Sequence, residues 1–231
     1  MPGFIIHLAE ATMIMDYMER KPDSAWRQEF LLGSLLPDTK LGADKAVSHF
    51  WGPEHNEYIA RAPELTSFLD KYGHRLDEPG ILGYYAHLYL DEHYVNGYWP
   101  RILTFEDADG HPEPRKERID RVELKHSGKV IPFNQFFSSE YYYGDYTRSN
   151  HWFVERYHIQ APEYRSLSGL NMDEVRSEDL KKILEELNYL CDKGKMGDEK
   201  DLKVFELTEL ETFALRTAES FLSHMKHLIH I

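Results

Sequence analysis

The sequence predicts an all-α fold, an orthogonal multi-helix bundle formed by a single helical domain over residues 1–231. Apolar residues recur at helical spacing through the first hundred residues and again through the last third of the chain. Hydrophobic residues make up 42% of the chain and aromatic residues 13%, which suffices for a large core. The polar, turn-rich stretch 104–150 breaks this pattern and is predicted as a small hairpin or loop insertion.

Six main helices are expected on either side of that insertion. Their limits are set by capping residues, by prolines and by the ends of the apolar stripes. They cover approximately residues 4–19, 24–36, 54–73, 79–95, 180–190 and 205–225. Thr208 and Glu211 have the spacing of a capping box at the start of the last helix.

Two features are predicted within the insertion. Residues 121–133 have the pattern of two short strands joined by a turn at His126–Gly128. Residues 138–150 contain several tyrosines, and aromatic loops often border ligand pockets. An ordinary surface loop packed by its own aromatic side chains explains the same residues equally well.

Charge and cysteine content restrict the classes of partner. With 27 basic and 40 acidic residues the net charge is −13, so the average field repels phosphate backbones and anionic membranes, and nucleic acid is not an expected partner. The single cysteine, Cys191, excludes an internal disulfide framework and a cysteine-rich zinc site. A bound metal would therefore need histidine, aspartate and glutamate ligands.

The N-terminal segment lacks the basic and apolar regions of a secretory signal, and no stretch approaches the roughly 20 apolar residues that cross a bilayer. We therefore expect a cytoplasmic protein without integral membrane association. Nothing in the sequence indicates an oligomeric state.

The fourth predicted helix carries His87 and Asp91, four residues apart in a run of tyrosines and aliphatic residues. This spacing places both side chains on one face, where they can hold a divalent cation together. A buried hydrogen bond between the two side chains is the alternative.

Three further residues could join that pair. His7 lies among apolar residues of the first helix, Asp38 follows a helix-ending Leu-Pro, and His49 is flanked by apolar residues. Each has a structural alternative: a satisfied core histidine for His7, a turn-forming aspartate for Asp38 and an interface histidine for His49. Their occurrence together favours a metal site.

Four segments resemble the motifs of the bacterial zinc-dependent phospholipase C-like family. They are FIIHLAEA, LLGSLLPDTK, SHFW and LGYYAHLYLDEHY, and they occur in the family's order within the first two-fifths of the chain. The resemblance implies a helical bundle with a metal site that hydrolyses phosphoester bonds.

Matched position by position, the resemblance implies that His87, Asp91, His49 and Asp38 are metal ligands, with His7 contributing to a neighbouring ion. One or two divalent ions are expected, zinc first among them. Asp38 is also the predicted catalytic residue, either bridging metals or accepting a proton from the attacking water. The predicted function is metal-dependent hydrolysis of a small phosphorylated substrate, either a phosphodiester or a phosphomonoester.

Two other functions remain open. A non-catalytic helical scaffold or small-ligand binding protein could keep the same residues as a structural or degenerate metal site. An HD-type phosphohydrolase is also helical and metal-dependent, but it requires an adjacent His-Asp dyad, which this sequence lacks. No Gly-x-Ser-x-Gly nucleophile elbow or Walker-type phosphate loop is present.

Overall fold

Helices dominate the structure, a computed structural model that describes residues 2–20, 24–167, 170–193 and 201–229. The α-helices of this part of the chain are α1 (Phe4–Tyr17), α2 (Ala25–Leu35), α3 (Asp44–Ser48), α4 (Leu65–Tyr72), α5 (Pro79–His93), α6 (Trp99–Ile102), α7 (Phe133–Phe136), α8 (Tyr142–Tyr157), α9 (Leu180–Lys193) and α10 (Leu207–Ile229). The predicted helical character is confirmed at this level.

A small antiparallel sheet makes the all-α label inexact. Its strands are β1 (Leu103–Glu106), β2 (Arg121–Leu124) and β3 (Lys129–Pro132), in the order β1-β2-β3. The predicted hairpin is confirmed as β2 and β3, whose turn includes Gly128 at a φ of +64°, a conformation that glycine adopts without strain. The sequence analysis missed β1, which pairs with β2 along its whole length.

The predicted tyrosine-rich loop 138–150 is wrong over most of its length, because α8 begins at Tyr142. Tyr142 and Phe153 lie on the buried side of this helix, while Tyr143 is exposed. Helical periodicity places some of these aromatic residues in the core and others in solvent. A cluster of tyrosines alone therefore does not predict a loop.

Two predicted helix starts are corrected and one is confirmed. Ser24 caps α2, since its hydroxyl accepts a hydrogen bond from the Arg27 amide at 3.2 Å. The helix predicted over 54–73 begins only at Leu65, after Pro63, because proline disfavours helix at the residue before it. The predicted capping box of the last helix is wrong, because α10 already includes Thr208.

The two central helices are α1 and α5. Nearly every residue of α1 from Ile5 to Met15, and every residue of α5 from Gly80 to Asp91, is buried. A helix that is apolar all round belongs inside the core, so the few charged and imidazole side chains on these helices need a specific explanation. Among the described residues, no helix combines the length and the apolar character that crossing a bilayer requires.

Glycines allow α2 and α5 to pack with their backbones almost in contact. A Cβ atom at Gly33 would overlap the carbonyl group of Gly80, and one at Gly83 would overlap the carbonyl group of Phe30. This close approach brings the Ser34 carbonyl oxygen of α2 within hydrogen-bonding reach of a side chain on α5. The packing of the two helices therefore also shapes the candidate site.

Candidate metal centre

The structure brings the five predicted metal ligands together in one buried cluster, which we call the His–Asp cluster. His7, His49, His87 and Asp91 are each at most 1% exposed, and Asp38 is 8% exposed. Burial of five imidazole and carboxylate groups at one point is costly unless each group has a partner.

Four separate segments supply these side chains. His7 lies on α1, and His87 and Asp91 lie one turn apart on α5. Asp38 sits in a 3₁₀ turn directly after α2, and His49 follows the last residue of α3. The Ser48 hydroxyl donates a hydrogen bond to the Pro37 carbonyl oxygen at 2.8 Å, which ties the two short segments together.

Four ligand-type groups lie close together, and four of the separations between them are nearly equal. His49 Nε2 is 3.3 Å from Asp38 Oδ1 and 3.6 Å from Asp91 Oδ2. His87 Nε2 is 3.4 Å from His49 Nε2 and 3.5 Å from Asp91 Oδ2. These distances lie at or beyond the long end of the hydrogen-bonding range, so no short hydrogen bond joins the four groups.

The tautomers of two histidines follow from their other nitrogen atoms. His87 Nδ1 lies 2.8 Å from the Ser34 carbonyl oxygen, and His49 Nδ1 lies 3.0 Å from the Lys45 carbonyl oxygen. Since a carbonyl oxygen only accepts, each Nδ1 carries a proton, and the Nε2 atom of each ring faces the cluster. Hydrogen bonds of this kind orient metal-binding histidines.

The spacing agrees with a divalent cation of zinc size. Tetrahedral zinc with bonds of about 2.0–2.1 Å separates neighbouring ligand atoms by about 3.3–3.4 Å. The four separations above range from 3.3 to 3.6 Å. Neither carboxylate oxygen of Asp91 has a hydrogen-bond partner among the described residues. Two imidazole nitrogens and two carboxylates therefore converge where a positive charge would stabilise all of them.

His7 adds a second group of ligand atoms on the other side of Asp91. Its Nε2 lies 3.4 Å from Asp91 Oδ1, and its ring stacks on that of His87 with centroids 3.6 Å apart. Neither ring nitrogen of His7 has a hydrogen-bond partner among the described residues. His7–His87–Asp91 and Asp38–His49–His87 are thus two overlapping positions for an ion, and the single Nε2 atom of His87 can serve only one of them at a time.

The cluster holds its groups in the protonation states that a metal needs. Burial lowers the pKa of His7 to about 4 and that of His49 below its ordinary value, so both rings are neutral near pH 7. Burial alone would raise the pKa of Asp38, but Lys45 and His49 hold it well below its usual range. Burial is likewise outweighed at Asp91, where His87 and His7 lower the pKa.

Glu10 is a buried carboxyl group that the sequence analysis did not include in the site. It is 1% exposed, its Oε1 atom has no hydrogen-bond partner among the described residues, and burial together with Asp91 raises its pKa well above normal. The spacing of His7 and Glu10, three residues apart on a helix otherwise apolar in its middle, was the available signal.

Lys45 also lies at the cluster and was not among the predicted site residues. Its Nζ atom is 2.7 Å from Asp38 Oδ1. Burial alone would lower the pKa of Lys45, but Asp38 raises it, so the ammonium group stays charged. Seven residues separate the two partners across a turn, and no periodic pattern in the sequence indicates their contact.

Other acidic and histidine side chains have structural partners away from the cluster. Asp145 is fully buried and accepts hydrogen bonds from the backbone amides of Val204 and Phe205. His151 pairs with Glu155 at 3.1 Å, but the Glu155 side chain is 70% exposed, so this i,i+4 pair is a surface ion pair.

A third group of ligand-type atoms occurs on the surface, at Asp107, Asp109 and His111. Asp107 Oδ1 already accepts hydrogen bonds from the backbone amides of the other two residues, at 3.0 and 2.9 Å. These bonds form the turn itself and account for the cluster without an ion.

Comparison of the chain with protein-family models, with curated proteins and with solved structures found no match in any of the three. The likeness to the phospholipase C-like family therefore rests on the four motifs alone. The geometry of the His–Asp cluster is independent of that likeness.

Proposed function

We propose that the protein is a metal-dependent phosphoester hydrolase whose cation is held in the His–Asp cluster. The observation that supports this most directly is the orientation of His49 and His87. Each ring donates its Nδ1 proton to a backbone carbonyl oxygen, which turns the two Nε2 atoms, 3.4 Å apart, toward carboxylate oxygens. Imidazole nitrogens and carboxylate oxygens held together in a buried site are the ligands that a divalent cation takes.

His49, His87, Asp38 and Asp91 would hold the principal ion, and His7 with the other oxygen of Asp91 would hold a neighbouring one. Imidazole nitrogen and carboxylate oxygen are ligands that zinc accepts, so zinc is the proposed metal. A divalent cation supplies Lewis acidity there: it acidifies a water molecule and stabilises negative charge on a phosphoryl oxygen.

The protein's own groups supply the remaining functions. Asp38 is the ligand closest to solvent, and as an ionised carboxylate it can accept a proton from the attacking water. Glu10 lies near Asp91, and burial together with Asp91 raises the pKa of its carboxyl group well above the ordinary value, which favours the protonated form. The Ser34 and Lys45 carbonyl oxygens fix the two histidine rings during turnover.

Near-complete burial of the cluster favours a second candidate function, a structural metal site. Closed coordination is typical of structural zinc, whereas a catalytic site keeps a position open for water or substrate. Four of the five ligands are at most 1% exposed. A scaffold in which the ion only joins α1, α5 and the segments at Asp38 and His49 would meet this description.

The proposal is tested with zinc-loaded protein and two substrates, p-nitrophenyl phosphate and bis(p-nitrophenyl) phosphate. Wild-type protein should hydrolyse at least one, and His87→Ala should lose both bound zinc and turnover. His151→Ala is the matched control, because His151 has the same i,i+4 carboxylate spacing outside the cluster. Bound zinc without hydrolysis of either ester would favour the structural site, and the absence of bound zinc would reject both functions.

A further inference from the structure

Lys45 lies between the His–Asp cluster and solvent. Its ammonium group pairs with Asp38, its side chain is 27% exposed, and the Asp38 side chain is 7% exposed. The other members of the cluster are essentially inaccessible. A molecule that approaches the cluster along its exposed edge therefore meets Lys45 and Asp38 first.

We propose that Lys45 forms, with the cation of the His–Asp cluster, the subsite for the terminal phosphoryl group of a phosphomonoester. This inference rests on the proposed function and narrows its substrate class. Lysine is a common phosphate ligand that acts as a point charge with three donors. One of these donors is used by Asp38, so others remain for a phosphoryl oxygen.

Burial favours a terminal phosphoryl group over an internal one. A phosphodiester carries a substituent on both sides of its phosphorus, and both must fit beside the reacting atoms. At the His–Asp cluster only the edge formed by Asp38 and Lys45 reaches the surface among the cluster residues. A phosphomonoester can insert its unsubstituted end there and leave its single substituent in solvent.

The positive charge at the exposed edge of the cluster also favours a phosphomonoester. The cluster contains two carboxylate groups, Asp38 and Asp91, which formally balance one divalent cation. The ammonium group of Lys45 adds one positive charge at the exposed edge. An added positive charge stabilises a phosphomonoester dianion more than a diester monoanion, since Coulomb energy scales with the ligand charge.

The experiment compares two small probes, methyl phosphate and dimethyl phosphate, by calorimetric titration into zinc-loaded protein at pH 8. The variants are Lys45→Met, which removes the charge at similar length, and Lys45→Arg, which retains it. Lys40→Met is the matched control. The Lys40 side chain is 25% exposed, and its Nζ atom lies 2.6 Å from Asp179 Oδ2, which is not a member of the cluster. Zinc content is measured for every variant.

We expect Lys45→Met to keep its zinc and to bind methyl phosphate about 10- to 100-fold more weakly, as for loss of a charge-assisted hydrogen bond. Its affinity for dimethyl phosphate should fall clearly less. Lys45→Arg should recover most of the methyl phosphate affinity, and Lys40→Met should match wild type.

Unchanged methyl phosphate affinity in zinc-loaded Lys45→Met, or an equal loss for both probes, would overturn the subsite and leave the proposed function standing. Loss of zinc from Lys45→Met would show that Lys45 positions Asp38 for the metal. That result would also overturn the phosphoryl subsite. Wild-type protein that binds no zinc would instead refute the proposed function.

Discussion

Asp91 and Asp145 are both fully buried aspartates, but they differ in how their charge is stabilised. Asp145 accepts hydrogen bonds from the amides of Val204 and Phe205 and pairs with Arg148. Asp91 has no hydrogen-bond partner on either oxygen among the described residues and faces imidazole rings. The protein's own donors satisfy Asp145, whereas both oxygens of Asp91 remain available to a ligand.

A structural carboxylate and a ligand-type carboxylate thus differ in the groups that contact them and not in how deeply they are buried. Depth inside the protein is the same for both, and so is the cost of placing a charge there. What differs is the kind of group that surrounds the charge. Backbone amides and a guanidinium group surround Asp145, whereas imidazole nitrogens surround Asp91.

The largest expected effect is on stability. In metal-free protein Asp145→Asn should lower the free energy of unfolding by about 3–5 kcal/mol, because it leaves Arg148 and buried amides without their carboxylate. Asp91→Asn should lower it clearly less, since no backbone amide or guanidinium group among the described residues loses a hydrogen bond to Asp91. Urea denaturation of both variants measures the difference, and equal losses would contradict the comparison.

Metal removal should have the next largest effect. An ion present at 100 times its dissociation constant stabilises a protein by about 2.7 kcal/mol. Addition of a strong chelator to zinc-loaded wild-type protein should therefore lower Tm by several degrees. The same treatment should leave Asp91→Asn unchanged, and differential scanning calorimetry of both proteins checks this. A wild-type Tm that does not respond to chelator would argue against a bound ion.

Gly83→Ala should separate α2 from α5 and destabilise the protein by about 1–3 kcal/mol, because the new methyl group overlaps the Phe30 carbonyl group. Separation of these helices also weakens the hydrogen bond from His87 to Ser34. Zinc affinity should then fall together with stability. Gly97→Ala is a useful control, since a Cβ atom there meets nothing within 4 Å.

The smallest predicted effect concerns pH. The pKa of His7 is lowered from 6.5 to about 4, first by burial and then by His87. Between these two pH values the unfolded chain binds more protons than the folded chain, so stability rises with pH. The pKa of Glu10 is raised above 4.5 by burial, then by Asp91, so its contribution falls as pH rises. In metal-free protein these opposite slopes overlap from pH 4.5 to 6.5.

Replacement of either residue should expose the slope of the other. Between pH 4.5 and 6.5, stability of Glu10→Gln should rise with pH more steeply than that of wild type, by about 1–2 kcal/mol over the window. The stability of His7→Gln should instead fall with pH relative to that of wild type over the same range. Urea denaturation at several pH values gives both slopes, and parallel curves for the three proteins would show that neither group has the inferred protonation state.

The sequence predicted much of this fold because its helices are marked by local signals. The apolar repeat of α1, the Ser24 cap of α2 and the Pro79 start of α5 are all readable within one or two turns. The strand β1 was missed because its pairing with β2 depends on residues about 20 positions away. The helix α8 was missed because tyrosine clusters occur in loops as well as in helices.

The five predicted site residues lie in a shared cluster, and the apolar helices around His7, His87 and Asp91 were the clearest local signal for it. The sequence did not predict Lys45 and Glu10 as site residues, for different reasons. Lys45 reaches Asp38 only through the turn between α2 and α3, which no periodicity describes. Glu10 is a common residue on helix surfaces, and its burial follows from packing of α1 in the middle of the molecule.

The central claim is that a cation joins the acceptor groups around Asp91. The most direct measurement is the zinc dissociation constant of wild-type protein, Asp91→Asn and Asp145→Asn, by competition with a chelator of known affinity. We predict about one or two zinc ions per wild-type chain, an affinity at least about 100-fold weaker in Asp91→Asn, and little change in folded Asp145→Asn. Equal zinc affinity in all three proteins, or none in any, would contradict the claim.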